Sequence, residues 1–96
     1  MRIVRLRPGA RADLRKIWRF SKERWDEHQA DKYIRDLHAK FAQAAANDAL
    51  GAPCDDLRPG YLRIKAGSHV IFFKRTADLI VVVRVLHQSM DFQRHL

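Results

Sequence analysis

The chain has few of the devices that hold secreted or membrane proteins together. Its 96 residues include a single cysteine, Cys54, so no internal disulfide can form and the fold does not depend on an oxidising compartment. The opening MRIVRLRPGARADL contains no apolar core of a signal peptide. No run approaches the ~20 apolar residues that cross a bilayer, and the longest, Leu79 to Val83, is only strand-length. A cytoplasmic location without a membrane partner is the expectation. There is no repeat, low-complexity tract or linker. One domain over residues 1–96 is therefore expected, with enough chain to bury roughly two-thirds of its unfolded surface.

Sites that leave local signatures are missing too. The glycines at 51, 60 and 67 have neither the spacing nor the strand-to-helix context of a phosphate loop. Five histidines, at 28, 38, 69, 87 and 95, show no metal-ligand spacing with a cysteine or carboxylate alongside. Neither a metal nor any other cofactor is implied. His38 borders an apolar stripe and reads as a packing residue. Cys54 has no base beside it, Ser68 and Ser89 have no triad partners, and Asp55-Asp56 read as turn chemistry.

Acidic residues are also scarce: 11, against 19 Lys and Arg, for a net charge of +8. The imbalance is unevenly spread. Residues 1–25 hold nine basic and two acidic side chains (+7), residues 26–60 four and seven (−3), and residues 61–96 six and two (+4). Such a field attracts nucleic acid, anionic membrane or an acidic protein and does not by itself choose among them.

What is present is hydrophobic periodicity. Residues 2–7 alternate as a short strand, with Ile3 and a neighbour inward, and Pro8-Gly9 ends it. From Ala10 the period becomes helical, and Leu14, Ile17, Trp18, Ser21 and Trp25 share one stripe of a helix over roughly 10–25. Asp26 is the N-cap of a second helix, with Gln29 at the capping-box position. Its stripe is Ala30, Tyr33, Ile34, Leu37, Phe41, Ala44 and Ala45, and Asn47, Gly51 and Pro53 stop it. The short connection makes the two helices antiparallel. Leu62, Ile64 and Ala66 then alternate with Arg63 and Lys65 in a strand, Gly67-Ser68 is a hairpin, and His69 to Lys74 returns. Thr76 to Asp78 turns the chain into Leu79–His87, apolar on both faces and so a central strand. A last helical turn is expected in Asp91–Leu96. The class is α+β, in the order β-α-α-β-β-β, with a helical hairpin on a small antiparallel sheet.

Two charge features exceed what such a fold needs. Helix one carries Arg11, Arg15 and Arg19 at i, i+4 spacing with Lys16 and Lys22 beside them, an arrangement costing about 0.2–0.5 kcal/mol per pair. Helix two compensates its charges as Asp31–Arg35, Lys32–Asp36 and Asp36–Lys40. The uncompensated row is either a solvated face that keeps the chain soluble or the contact for an anionic partner. Arg84 lies inside VVVRVLH, where a buried charge needs a partner. It is either ion-paired with Asp91 or a loop acid, or it joins Arg63, Lys65 and His87 in a cationic site.

The run ADLRKIWRFSKERWDEHQADKYIRDLHAKF resembles the helical hairpin of ParE-type toxins of the RelE/ParE superfamily. LRPGYLRIKAGSHVIFFKR and VVRVLHQSMDFQRHL resemble the family's sheet and tail. The resemblance implies the toxin of a type II toxin–antitoxin pair, held inactive by an acidic ParD-like antitoxin in an assembly of two chains of each kind or larger. It implies inhibition of DNA gyrase without catalysis, and no sequence-specific nucleic-acid binding of its own. The alternative within the superfamily is a ribosome-dependent mRNA endoribonuclease, for which Arg63, Lys65, Arg84 and His87 would be the catalytic set. No tyrosine follows the last strand, and Phe92 there cannot move a proton, which favours the ParE branch. By matching positions, Met90, Asp91, Phe92, Arg94, His95 and Leu96 become the target-binding tail, unless MDFQRHL is simply a packed cap. The antitoxin is expected on Arg11, Arg15, Trp18, Arg19, Lys22 and Trp25, where aromatic and arginine anchors concentrate binding energy. Neutralising Arg11, Arg15 and Arg19 together should weaken partner affinity while circular dichroism shows an intact fold. Unchanged affinity would reduce the row to a solvated face.

Overall fold

The computed structural model describes residues 2–96. Strand β1 (Ile3–Leu6) leads into helix α1 (Pro8–Arg24) and helix α2 (Glu27–Ala46). A two-residue strand β2 (Ala52–Pro53) precedes β3 (Leu62–Ala66), β4 (His69–Arg75), β5 (Leu79–His87) and a short helix α3 (Phe92–His95). The expected order is present, with β2 added. The five strands form one sheet in the order β1-β5-β4-β3-β2. β1 is part of that sheet and runs parallel to β5, while the other pairings are antiparallel. The helical crossover between β1 and β5 is what permits a parallel neighbour.

Local chemistry explains most boundaries. α1 begins at Pro8 rather than Ala10 because proline's fixed φ and missing N–H suit the first helical position. Asp26 caps α2 as expected, its Oδ1 accepting from the Gln29 amide at 2.7 Å. The C-terminus of α2 has no basic residue in its last turn. Two arginines from the sheet side supply the missing donors. Arg75 donates to the carbonyls of Ala44, Asn47 and Leu50 at 3.0, 3.1 and 2.8 Å. Arg2 donates to Ala45 O at 3.4 Å and pairs with Asp48, whose carboxyl it holds below its usual range.

The sheet carries an apolar layer on each face. Toward the helices, Leu14, Ile17, Leu37, Phe41, Ile71, Phe73, Ile80, Val82 and Val85 form the main core. In β1 it is Val4 and Leu6 that join this core, while Ile3, expected inward, is 60% exposed. Behind the sheet, Cys54, Phe72 and Leu86 are covered by Leu57, Tyr61, Val70, Met90, Phe92 and Leu96. Burial on both faces accounts for the unbroken apolar run of β5. Trp25 does not belong to the core stripe. It is the C-cap of α1 and is 56% exposed.

One ion pair ties α1 to β5. Arg84 donates through Nε and Nη2 to Asp13 Oδ2 and Oδ1 at 2.7 and 2.8 Å. The same carboxylate accepts from the Val85 amide at 2.9 Å. The partner is thus Asp13 in α1, and neither Asp91 nor a loop acid. β1 last pairs at Leu6 with Val82, so Asp13 takes over as acceptor for the β5 edge where the parallel strand has turned into α1. Asp13 is 6% exposed, and deleting it strands both a guanidinium and an amide. Asp13→Ala should cost about 3 kcal/mol in urea unfolding, far more than removing any exposed α1 arginine. A loss below about 1 kcal/mol, typical of surface pairs, would show the pair to be dispensable.

Candidate functional site

Three surfaces carry the side chains that the sequence singled out. The first lies on the outer side of the helical hairpin. Arg11, Arg15, Arg19 and Lys22 are all exposed along α1. Beside them Leu14, Arg15, Trp18, Arg19 and Ile34 line a groove of about 610 Å³. Trp18 is held there by its indole N–H, which donates to Asp31 Oδ1 at 2.8 Å, and Lys22 Nζ lies 5.2 Å from the ring centre. Asp31 is therefore engaged with Trp18, and among the three pairs expected on α2 only Lys32–Asp36 forms, at 3.1 Å. Five of the six residues expected to face an antitoxin share this surface. The sixth, Trp25, does not.

Trp25 instead belongs to a second cleft of about 650 Å³, where the C-terminal half of α1 overhangs the end of β4 and β5. Lys16, Phe20, Arg24, Tyr33, His69 and His87 are among its walls. Phe20 is 60% exposed at its mouth. The floor is hydrogen-bonded. The Ser68 amide donates to the Tyr33 hydroxyl at 3.0 Å, and that hydroxyl lies 2.6 Å from His69 Nδ1. The Ser68 amide occupies one acceptor site of the phenol oxygen, and the Tyr33 hydroxyl and His69 Nδ1 share a single hydrogen bond. Gly67 makes this possible. It adopts φ +59°, and a Cβ there would come within 2.7 Å of the Tyr33 hydroxyl. His87 packs edge-on against His69 with ring centres 5.3 Å apart, and its Nδ1 accepts from the Ser89 amide at 3.1 Å.

Sequence reasoning missed Phe20, Tyr33 and His69 as members of a cleft. Phe20 carried the available signal, an aromatic outside the apolar stripe of its helix. Tyr33 and His69 each fitted a packing role equally well.

The third surface is the tail. Met90, Phe92 and Leu96 pack on the rear face of the sheet, with the Phe92 ring 5.0 Å from that of Phe72. Asp91, Arg94 and His95 remain exposed. Arg84 Nη1 donates to the His95 carbonyl at 2.8 Å, and Arg58 Nη2 to a main-chain oxygen of Leu96 at 2.6 Å. The tail is thus a packed cap that also presents three polar side chains.

The four groups of the nuclease alternative are divided: Arg84 and His87 border one cavity of about 170 Å³ with Lys16, His69 and His95, and Arg63 and Lys65 do not reach it. Arg63 and Lys65 project from β3 away from the main core. His87 opens into the cleft on the helix side, and Arg84 is held by three hydrogen bonds, two to Asp13 and one to the His95 carbonyl. Cys54 is buried, donates to the Tyr61 carbonyl at 3.3 Å, and has its thiol pKa pushed up by burial. Such a thiol is a packing group rather than a nucleophile. Among the described residues no group of three or more His, Cys, Asp and Glu comes together, and no helix is long and apolar enough to cross a membrane.

The chain is a basic α+β domain with an open arginine row on α1, and the comparisons identify its class. Residues 4–92 match the model of the ParE toxin of the type II toxin–antitoxin system parDE. Toxin ParE1 of Mycobacterium tuberculosis is 47% identical over 92 residues, covering 95% of this chain and 94% of that protein. Toxin ParE1 of Caulobacter vibrioides is 43% identical over 96 residues, covering 100% and 99%. Among solved structures, a chain of the chromosomal ParDE system from P. aeruginosa superposes with a TM-score of 0.77 at 21% identity, over 91% of this chain and 96% of that one. The protein is a toxin of a type II toxin–antitoxin system. Within that class, it belongs to the ParE family.

Burial, and then the neighbouring His87, lower the His69 pKa from 6.5 to about 4. Between those values the unfolded chain binds a proton that the folded chain refuses. Stability is therefore fully present above pH 6.5 and falls as pH drops toward 4. Chemical unfolding between pH 7 and about 4 should show this slope, and His69→Gln should flatten it. An unchanged slope in the variant would assign the dependence to other groups.

Proposed function

We propose that this ParE-family toxin is neutralised in the cytoplasm by an acidic ParD-like antitoxin and, when free, inhibits DNA gyrase by binding rather than by chemistry. The observation that carries the antitoxin half is the contrast between the two helices. α1 keeps Arg11, Arg15 and Arg19 exposed and unpaired beside the Trp18 groove, and among the described residues Asp13 is the only α1 carboxylate in an ion pair, turned inward to Arg84. An acidic helix or strand laid along that row would relieve its repulsion and bury Trp18, and opposite net charges would speed its association. The P. aeruginosa neighbour comes from a ParDE system, which supports a partner of this kind. We assign two chains of each type, or a larger assembly, to the neutralised state.

The gyrase half rests on the tail. Asp91, Arg94 and His95 are presented from a segment anchored by Met90, Phe92 and Leu96, so their main chain is ordered before any target arrives. Preordering reduces the entropy lost on binding. The separation of Arg63 and Lys65 from the cavity that Arg84 and His87 share supports a protein that performs no catalysis.

Induction without antitoxin tests the reading. Filamentation with double-strand breaks is the expected outcome. A prompt halt in translation with cut messages would replace it by the nuclease, and unimpaired growth would leave an antitoxin-binding protein with another target. Removing Asp91–Leu96 entirely would uncover Phe72 and Leu86, so Arg94→Glu is the cleaner probe of the tail. It should keep the antitoxin complex and abolish growth arrest.

A further inference from the structure

The cleft beside His69 and the smaller cavity next to it share Lys16, Ile17, His69 and His87 as walls, so the two adjoin. Their far ends differ in chemistry. At the outer end Phe20 and Trp25 are exposed, and the Arg24 guanidinium lies 5.9 Å from the centre of the Trp25 ring. The inner end, of about 170 Å³, is bordered by Lys16, Arg84, His87 and His95. Lys16, Phe20 and Arg24 follow one another at four-residue spacing, so α1 presents cation, aromatic and cation in line on one face. Among the described residues neither Lys16 nor Arg24 forms an ion pair. The one carboxylate lining the two cavities is Asp13, which is already matched by Arg84.

We propose that this cleft binds a mononucleotide, with its base on Phe20 and Trp25 and its phosphate between Lys16 and His87. The reading is independent of the antitoxin and gyrase assignments. Two exposed aromatics offer stacking surfaces to a flat ring, and stacking is favourable for any base. The unmatched cations select a ring that carries an anion. His87 supplies direction. Its Nδ1 accepts from the Ser89 amide, which places the proton of the neutral ring on Nε2 and makes that nitrogen a donor. His69, with its pKa lowered to about 4, stays neutral near pH 7, so Lys16 carries the charge that faces the phosphate. The outer cleft, at about 650 Å³, falls within the roughly 300–1,000 Å³ of small-molecule sites. Its floor is ordered in advance by the Ser68, Tyr33 and His69 hydrogen bonds. The inner end is bounded by Met90 and His95 of the tail, which leaves room for one phosphate group and not for a continuing strand.

The test titrates the full-length toxin with AMP, adenosine and inorganic phosphate, read by calorimetry and tryptophan fluorescence. AMP should bind saturably, and adenosine about tenfold more weakly. Lys16 and Trp25 are exposed, so Lys16→Gln and Trp25→Ala should both keep the native circular dichroism. Each should weaken AMP binding about tenfold, and Trp25→Ala should also remove most of the fluorescence change. Arg15→Gln, on the outer side of the same helix, controls for general attraction to a chain of +8 charge and should leave AMP affinity unchanged. An equal loss in Arg15→Gln and Lys16→Gln would assign the binding to net charge and overturn the site. Inorganic phosphate binding as tightly as AMP would overturn the base contact, and with it the proposal. Failure to saturate by about 10 mM AMP, or binding of a single-stranded RNA oligonucleotide but not of AMP, would overturn the mononucleotide.

Discussion

The carboxylate of Asp13 adds a directional tie between α1 and β5, which otherwise meet through the apolar packing of the main core. It grips the Arg84 guanidinium with both oxygens and also accepts the Val85 amide. α1 is thereby fixed against β5 where β1 ends and the sheet would otherwise show bare backbone. Arg84 in turn reaches the His95 carbonyl, so the same pair orients the tail. Gly9 completes the arrangement, since a Cβ there would stand 3.0 Å from the Arg84 side chain. A buried ion pair often adds little net stability compared with apolar packing. This one also specifies geometry, because an apolar pair could not cap the Val85 amide.

The arginines divide into distinct roles once their partners are known. Arg2 and Arg75 collect the orphan carbonyls at the end of α2, and Arg58 and Arg84 hold the tail. Among the described residues Arg11, Arg15 and Arg19 form no ion pair or side-chain hydrogen bond, which leaves them open to a partner. Net charge alone could not distinguish these groups. The +8 field is a composite of structural donors and a free surface.

The two-sided sheet places the candidate surfaces apart. The hairpin covers one face and offers the arginine row and two clefts along its flanks. The loop after α2 and the tail cover the other face. An antitoxin on the hairpin and a target at the tail would therefore approach different sides of the molecule. Neutralisation then requires either a partner long enough to reach around the sheet or a block on target access by sheer bulk.

Local rules made much of this readable. The 3.6-residue stripes of α1 and α2, the Asp26 cap, the Gly67 hairpin and the apolar run of β5 are all decided by neighbours a few residues away, so the helices, the hairpin and the central strands were legible. The family resemblance likewise rested on contiguous runs. Other features depend on chain segments that meet only after folding. The partner of Arg84 lies 71 residues distant, and the parallel placement of β1 depends on the crossover through both helices. That placement turned Ile3 outward and Val4 and Leu6 inward. Trp18 and Trp25 looked alike in periodicity, yet the end of α1 sends one to the arginine groove and the other to the His69 cleft. The sequence by itself determined the two long helices, the main strands, the charge row and the family resemblance, because these follow from short-range periodicity, composition and contiguous runs. Only the tertiary structure decided which charges are spent and which remain free, because pairing depends on distances that no local pattern encodes.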